Sequence, residues 1–211
     1  LINATGSLLR PYSLVAQKYA KEVLEQKGVQ VLNDTTIVKV TDKDITTLDG
    51  VILTTDIVIW TAGVLGTTLH GIDRLLAVDS RVEVTPSLQL ASHPEVFVLG
   101  DMAYLFDDEG PYPMLAQVAK RYGKHAMKNL ECMISGKELQ SFHYSELGRF
   151  TSLGQLNVIA EFRWFHLYGG VAWFVWRTIY LFNFASTSKR LRILVDWTTN
   201  IFVPRGIMEI K

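Results

Sequence analysis

Apolar positions recur at near-helical spacing between Ser13 and Lys27, at Leu14, Val15, Tyr19, Val23 and Leu24, and Gly28 marks a stop. The spacing predicts a helix there, followed by a short strand from Val29 to Leu32. Three brief β runs come next, Thr36 to Val40, Ile45 to Leu48 and Val51 to Leu53, with Asp49-Gly50 as a hairpin turn between the last two. Ile57 to Trp60 is continuously apolar, as expected of a strand buried on both faces. Arg81 to Val84 and Val96 to Leu99 read as further strands, and a long helix is predicted from Leu115 to Ile134, closed by Ser135-Gly136-Lys137. Tyr144 to Phe162 reads as one or two strands interrupted by Gly148 and Gly154. Trp164 to Phe184 is then a 21-residue segment dominated by apolar residues.

The most informative stretch is Val96-Phe97-Val98-Leu99-Gly100-Asp101, with Leu115-Ala116-Gln117-Val118-Ala119 after it. A buried strand that stops at a glycine lets backbone approach a ligand, and an aspartate past its end is a short acceptor for ribose- or ribityl-type hydroxyls. A helix opening at the same edge offers free N–H groups to an electron-rich group. The plain alternative is a strand-end turn with Asp101 as an N-cap.

The chain has 21 basic and 21 acidic residues, so its charge gives no sign of a nucleic-acid partner. The balance is uneven along the sequence. From Glu161 onward Arg163, Arg177, Lys189, Arg190, Arg192, Arg205 and Lys211 outnumber Glu161, Asp196 and Glu209, and Trp164, Trp173, Trp176 and Trp197 lie in the same stretch. A basic, tryptophan-rich segment suggests an anionic membrane surface. The lone Cys132 rules out a dithiol centre within these residues and reads as a small apolar side chain. His70, His93, His125, His143 and His166 show no metal-ligand spacing, and Asp107-Asp108-Glu109-Gly110 reads as a solvated loop. No metal is expected, and no side chain is singled out as a catalytic acid, base or nucleophile. The chain starts mid-element at Leu1-Ile2-Asn3 and contains no G-x-G-x-x-G, as expected of a piece of a longer protein.

The order D-x-V-I-W-T-A-G-V, R-V-x-V, H-P-x-V-F-x-x-G-D and A-Q-x-A resembles the second half of two-dinucleotide-fold flavoproteins, and more closely the type II, non-proton-pumping NADH:quinone oxidoreductases. The resemblance runs on through Phe142-His143-Tyr144, Gly148, Leu153-Gly154, Gly170-Val171-Ala172-Trp173 and Trp176 to Lys189-Arg190-Leu191-Arg192 and Trp197. It implies FAD as cofactor and NADH or NADPH as co-substrate, with Asp101 on the ribityl chain and Gly100 letting the cofactor lie against the backbone. It places the N–H groups of Ala116 and Gln117 at the flavin ring and the Gln117 amide toward a quinone. Ala62 and Gly63 resemble the small-residue loop that lets nicotinamide stack on the flavin. Arg121 departs from a second glutamine common in the family, and reads either as a cationic quinone donor or as a solvated helix charge. Asn3 stands where the family typically has an acid holding the adenosine ribose, and its neutrality would make a 2′-phosphate tolerable, with Arg10 as a candidate partner.

The fold expected is α/β, the distal part of a two-dinucleotide (Rossmann-like) flavoprotein plus a C-terminal membrane-associated α+β region. The divisions expected are 1–62 for nicotinamide, 63–136 for flavin and 137–211 for membrane attachment. The apolar 164–184 segment is long enough to span a bilayer, which takes about 20 residues, but His166, Arg177 and Asn183 interrupt it. A helical wheel puts His166, Gly170, Trp173, Arg177 and Tyr180 near one face. An interfacial helix, a packed or dimer-forming helix and a span all remain open. The resemblance favours interfacial, monotopic attachment, with Trp173 and Trp176 at the acyl boundary and Lys189, Arg190 and Arg192 at headgroups. It implies a peripheral respiratory-chain NADH dehydrogenase on the cytoplasmic face or its organelle equivalent, and leaves a homodimer open. Two rivals stand beside it: a truncated, non-catalytic membrane-associated fragment, and a flavoprotein reductase with a soluble protein acceptor.

Overall fold

A computed structural model describes residues 1–67, 80–108, 110–182 and 186–202, without side chains from 198 onward. His70, Glu109, Asn183, Phe184, Arg205, Glu209 and Lys211 lie outside the described residues. The chain forms two compact units, one of Leu1–Val58 with Glu146–Lys211 and one of Ile59–Ser145.

The first unit is built around a strand buried on both faces. Strand β8 (Gly148–Ser152), β9 (Val158–Phe162) and β10 (His166–Tyr168) form an antiparallel sheet with β9 in the middle. Alternation along β9 sends Val158 and Ala160 to one side and Ile159 to the other. Ile159 packs with Ala16 and Ala20 of helix α1 (Leu14–Gln26), and all three are fully buried. Val158 and Ala160 pack with Ala172 and Trp173 of helix α3 (Gly169–Phe182). Burying an aliphatic side chain of this size contributes roughly 1.5–3 kcal/mol, so β9 holds both helices. Residues from Glu146 on therefore cluster in one compact unit with the N-terminal segment.

Helix α1 is pinned at both ends. Ser13 caps it, its Oγ accepting from Ala16 N at 3.3 Å, and Glu161 of β9 accepts from Ser13 N and Oγ. Beyond the last turn, Lys27 Nζ donates to Leu153 O at 2.6 Å. The same unit holds the antiparallel meander β1 (Ile37–Val40), β2 (Asp44–Thr47) and β3 (Ile52–Thr54), turned at Asp49-Gly50 as the sequence predicts. Helix α4 (Thr187–Phe202) follows α3.

In the second unit, β4 (Val82–Glu83) pairs in parallel with β5 (Ala103–Tyr104), and β6 (Phe106–Asp107) makes a small hairpin with β7 (Gly110–Pro111). Helix α2 (Ala116–Ile134) buries Val118, Tyr122, Ala126 and Asn129, spaced four, four and three residues apart, as one helical face requires. Asn129 is wholly buried and satisfied, donating to Ser87 O at 3.2 Å and Gln140 O at 2.9 Å and accepting from Gln140 N at 2.9 Å.

Four expectations are corrected. Ile57 to Trp60 forms no strand, and Ile57 and Ile59 are 78% and 82% exposed, because no described strand pairs with this run. Val29 to Leu32 is reduced to a single parallel bridge between Leu32 and Ile2. Val96 to Leu99 is likewise reduced to one bridge between Phe97 and Gln89. The long apolar segment is not one helix. Phe162 N bonds back to Phe165 O at 3.0 Å, which turns the chain so that His166 to Tyr168 pairs with β9, and α3 begins only at Gly169. His166 therefore shares no helix face with Trp173.

Candidate cofactor site

Gly100–Met102 forms one 3-10 turn, entered through extended Leu99, with Gly100 at φ +73° and the Asp101 side chain exposed. A side chain larger than glycine disfavours that φ. The turn packs against the start of α2, where a Cβ built on Gly100 would meet the Ala119 methyl at 3.9 Å. Helix α2 begins without protection. Leu115 offers no side-chain cap and the first turn carries no acidic residue, so the N–H groups of Ala116 and Gln117 keep their partial positive charge. Ala116 is exposed and Gln117 half-buried. Four residues named from the sequence are thus brought together, with a short carboxylate beside bare helix N–H groups. This donor and acceptor set fits a flavin's polyol and electron-rich ring edge.

Gly66, which the sequence reading passed over, ties the Thr61-Ala62-Gly63 loop to this turn. A Cβ there would lie 2.9 Å from Ser80 O and the Arg81 Cγ, and 3.2 Å from Asp101 O. Ala62 and Gly63 themselves are exposed. The signal was a second glycine three residues after Gly63. Arg81 was also undervalued: it is 4% exposed, stacks 4.7 Å over Tyr104 and donates from Nη1 to Tyr112 O at 3.2 Å. Behind it, burial and the neighbouring Tyr112 push the Tyr122 hydroxyl far above its ordinary pKa, a shift that Arg81 partly offsets. Arg121, one turn beyond Gln117, lies 4.9 Å over the Tyr144 ring and donates from Nη1 to Ser145 O at 2.7 Å. It is anchored, not freely solvated.

The remaining sequence-predicted residues belong to the first unit. The Asn3 amide nitrogen lies 2.6 Å from Thr5 O and 3.1 Å from Ser7 O and from Asn33 Oδ1, so it organises the loop after the Ile2 bridge. Trp173 is buried in the β9–α3 core, Trp176 packs at its edge, and Lys189 and Arg192 are exposed on α4. Trp173 is therefore an interior side chain. Arg190 is half-buried, its Nη2 at 3.4 Å from Phe182 O. Val171, Phe174 and Phe182 leave an apolar stripe of α3 exposed, while among the described residues no helix is long and apolar enough to cross a membrane. A cleft of about 290 Å³ in the same unit, between Pro11, Glu146, Arg149, Glu161, Arg163 and His166, contains none of the predicted cofactor residues. Among the described residues no His, Cys, Asp and Glu cluster is arranged to hold a metal ion.

The fold and this turn-on-helix arrangement define part of a Rossmann-like dinucleotide-fold flavoprotein. Residues 1–123 match the pyridine nucleotide-disulphide oxidoreductase family, and the chain belongs to that family. Residues 147–206 match the NDH2 C-terminal domain. The type II NADH:quinone oxidoreductase Ndh of Mycobacterium tuberculosis is 26% identical over 220 residues, covering 97% of this chain and 46% of that protein. The type II NADH:quinone oxidoreductase of Staphylococcus epidermidis is 30% identical over 163 residues, covering 72% of this chain and 39% of that protein. The chain thus spans less than half the length of these curated relatives. The solved structure of NDH2 from Plasmodium falciparum in complex with NADH superposes with a TM-score of 0.84 at 15% identity, over 97% of this chain and 58% of that one, a likeness of fold.

Proposed function

We propose that this chain is the flavin- and quinone-facing part of an FAD-dependent NAD(P)H:quinone oxidoreductase attached to a membrane surface. The observation that carries the reading is the Gly100-Asp101 turn seated on the uncapped start of α2, in a chain whose relatives are type II NADH:quinone oxidoreductases. FAD, when bound, supplies hydride acceptance from NADH or NADPH and two-electron delivery to a quinone. Asp101 accepts hydrogen bonds from ribityl hydroxyls, and Gly100 keeps bulk away from them. The N–H groups of Ala116 and Gln117 hold positive potential where negative charge develops on reduction. The Gln117 amide donates to a quinone carbonyl, and Arg121 offers the donors that Ser145 leaves unused. Ala62 and Gly63 keep side chains off the nicotinamide path, since hydride transfer needs reacting atoms about 3–3.5 Å apart. Asn3, carrying no charge, leaves a 2′-phosphate unopposed.

Peripheral attachment, on the cytoplasmic face or its organelle equivalent, is assigned to the exposed stripe of α3 with Lys189 and Arg192 of α4. An apolar stripe plus a basic patch gives stable anchoring where either alone is marginal. The test is flavin retention by the full-length protein. Wild type should purify with bound flavin and Asp101→Ala should lose most of it; stoichiometric flavin in the variant would remove Asp101 from the site.

A further inference from the structure

Arg177 lies against two indoles, its guanidinium carbon 3.9 Å over the Trp173 ring and 4.7 Å over that of Trp197. The guanidinium therefore lies over two indole rings, one a buried tryptophan of α3 and one a tryptophan of α4. Its N–H edge is a different matter. Among the described residues no carboxylate or carbonyl accepts from it, although burial already draws its pKa below the ordinary guanidinium value. A guanidinium held against two indole rings, with an unspent fork of donors, is preorganised for a planar or tetrahedral oxyanion. The exposed Phe174 precedes Arg177 by one helical turn, the exposed Phe182 stands at the end of the same helix, and Lys189 and Arg192 are exposed on α4.

We propose that Arg177, clamped by Trp173 and Trp197, is a phosphate site for an anionic phospholipid headgroup. This rests on the membrane-surface reading above and adds to it one residue that selects the lipid. The planar stack is essential: lysine keeps the charge but presents no fork and no face for two indoles.

The experiment measures partition of the full chain onto phosphatidylcholine vesicles and onto vesicles that also contain phosphatidylglycerol, with tryptophan emission and near-ultraviolet circular dichroism as checks of packing. Wild type should prefer the phosphatidylglycerol vesicles. Arg177→Lys and Arg177→Gln should lower that preference by about tenfold, the loss expected for one charge-assisted bidentate contact, and lower partition onto phosphatidylcholine, whose phosphate already faces its own choline cation, far less. Trp197→Leu, which keeps the charge and removes one wall, should give an intermediate loss, so that the proposal survives a misfolding Arg177 variant. Unchanged headgroup preference in the Arg177 and Trp197 variants overturns the site while membrane attachment stands. Wild type that binds neither vesicle overturns both. If inorganic phosphate at millimolar concentration shifts the tryptophan emission as the lipid does and abolishes the preference, the site takes a free anion and the lipid assignment falls.

Discussion

Gly66 packs so closely on Asp101 that a Cβ at position 66 would lie 3.2 Å from the Asp101 carbonyl oxygen and 2.9 Å from that of Ser80. Both neighbours are backbone, so neither yields as a flexible side chain would. Gly66→Ala should therefore cost about 1–3 kcal/mol of stability, in the range of overpacking, and displace the turn that presents Asp101. Chemical denaturation and flavin content of the purified full-length protein check both effects. Wild-type values for both would show that the 61–66 loop does not set the position of Asp101.

Glu161 fixes the start of α1 from 148 positions away, its carboxylate oxygens each 3.2 Å from Ser13 N. Glu161→Ala should lower the unfolding free energy by about 2 kcal/mol, the scale of hydrogen bonds to a charged group. Glu161→Gln, which keeps one acceptor, should lose less. Equal losses would mean that packing, and not acceptance from Ser13, accounts for the residue.

Helix α1, the Asp49-Gly50 hairpin, α2 and the β8–β9 pair were all legible, because the apolar pattern and a terminating or turn glycine agree with one another at each of them. Ile57 to Trp60 misled for a physical reason: an apolar run reports that a strand needs partners on both sides, not that those partners lie within the same chain. The Trp164 to Phe184 segment misled because apolar content does not separate a strand from a helix, and the turn at Phe165 followed by β10 is invisible to hydropathy. That the Gly100-Asp101 turn meets the start of α2 at Ala116 and Gln117 was legible from the apolar-run, glycine and acid order and the resemblance. The Gly66 contact, the buried Arg81 and the Trp173–Arg177–Trp197 stack were not, since each depends on tertiary neighbours.

The Asn3 amide donates to two carbonyl oxygens, Thr5 O and Ser7 O, which a carboxylate would repel. Asn3→Asp should therefore loosen the 5–7 loop and, where the residue faces the nucleotide ribose, depress NADPH turnover well below NADH turnover. The ratio of kcat/KM for the two nucleotides checks this. Equal depression of both would show that Asn3 acts on the loop alone.

Lys189 and Arg192 are exposed on α4, whereas Arg190 is engaged with Phe182. A basic residue near an anionic surface contributes about 1 kcal/mol, so the Lys189→Gln, Arg192→Gln double variant should bind anionic vesicles roughly 30-fold more weakly. Its unfolding midpoint should not move. Unchanged binding at low salt would place the membrane contact elsewhere.

The most direct measurement follows the two half-reactions separately in the full-length flavoprotein under anaerobic conditions. Mixing with NADH alone should bleach the flavin absorbance, and a second mixing with a membrane quinone should restore it, with Gln117→Ala slowing the second step and not the first. A flavin that NADH does not bleach, or that a soluble protein acceptor reoxidises and quinone does not, would contradict the assignment.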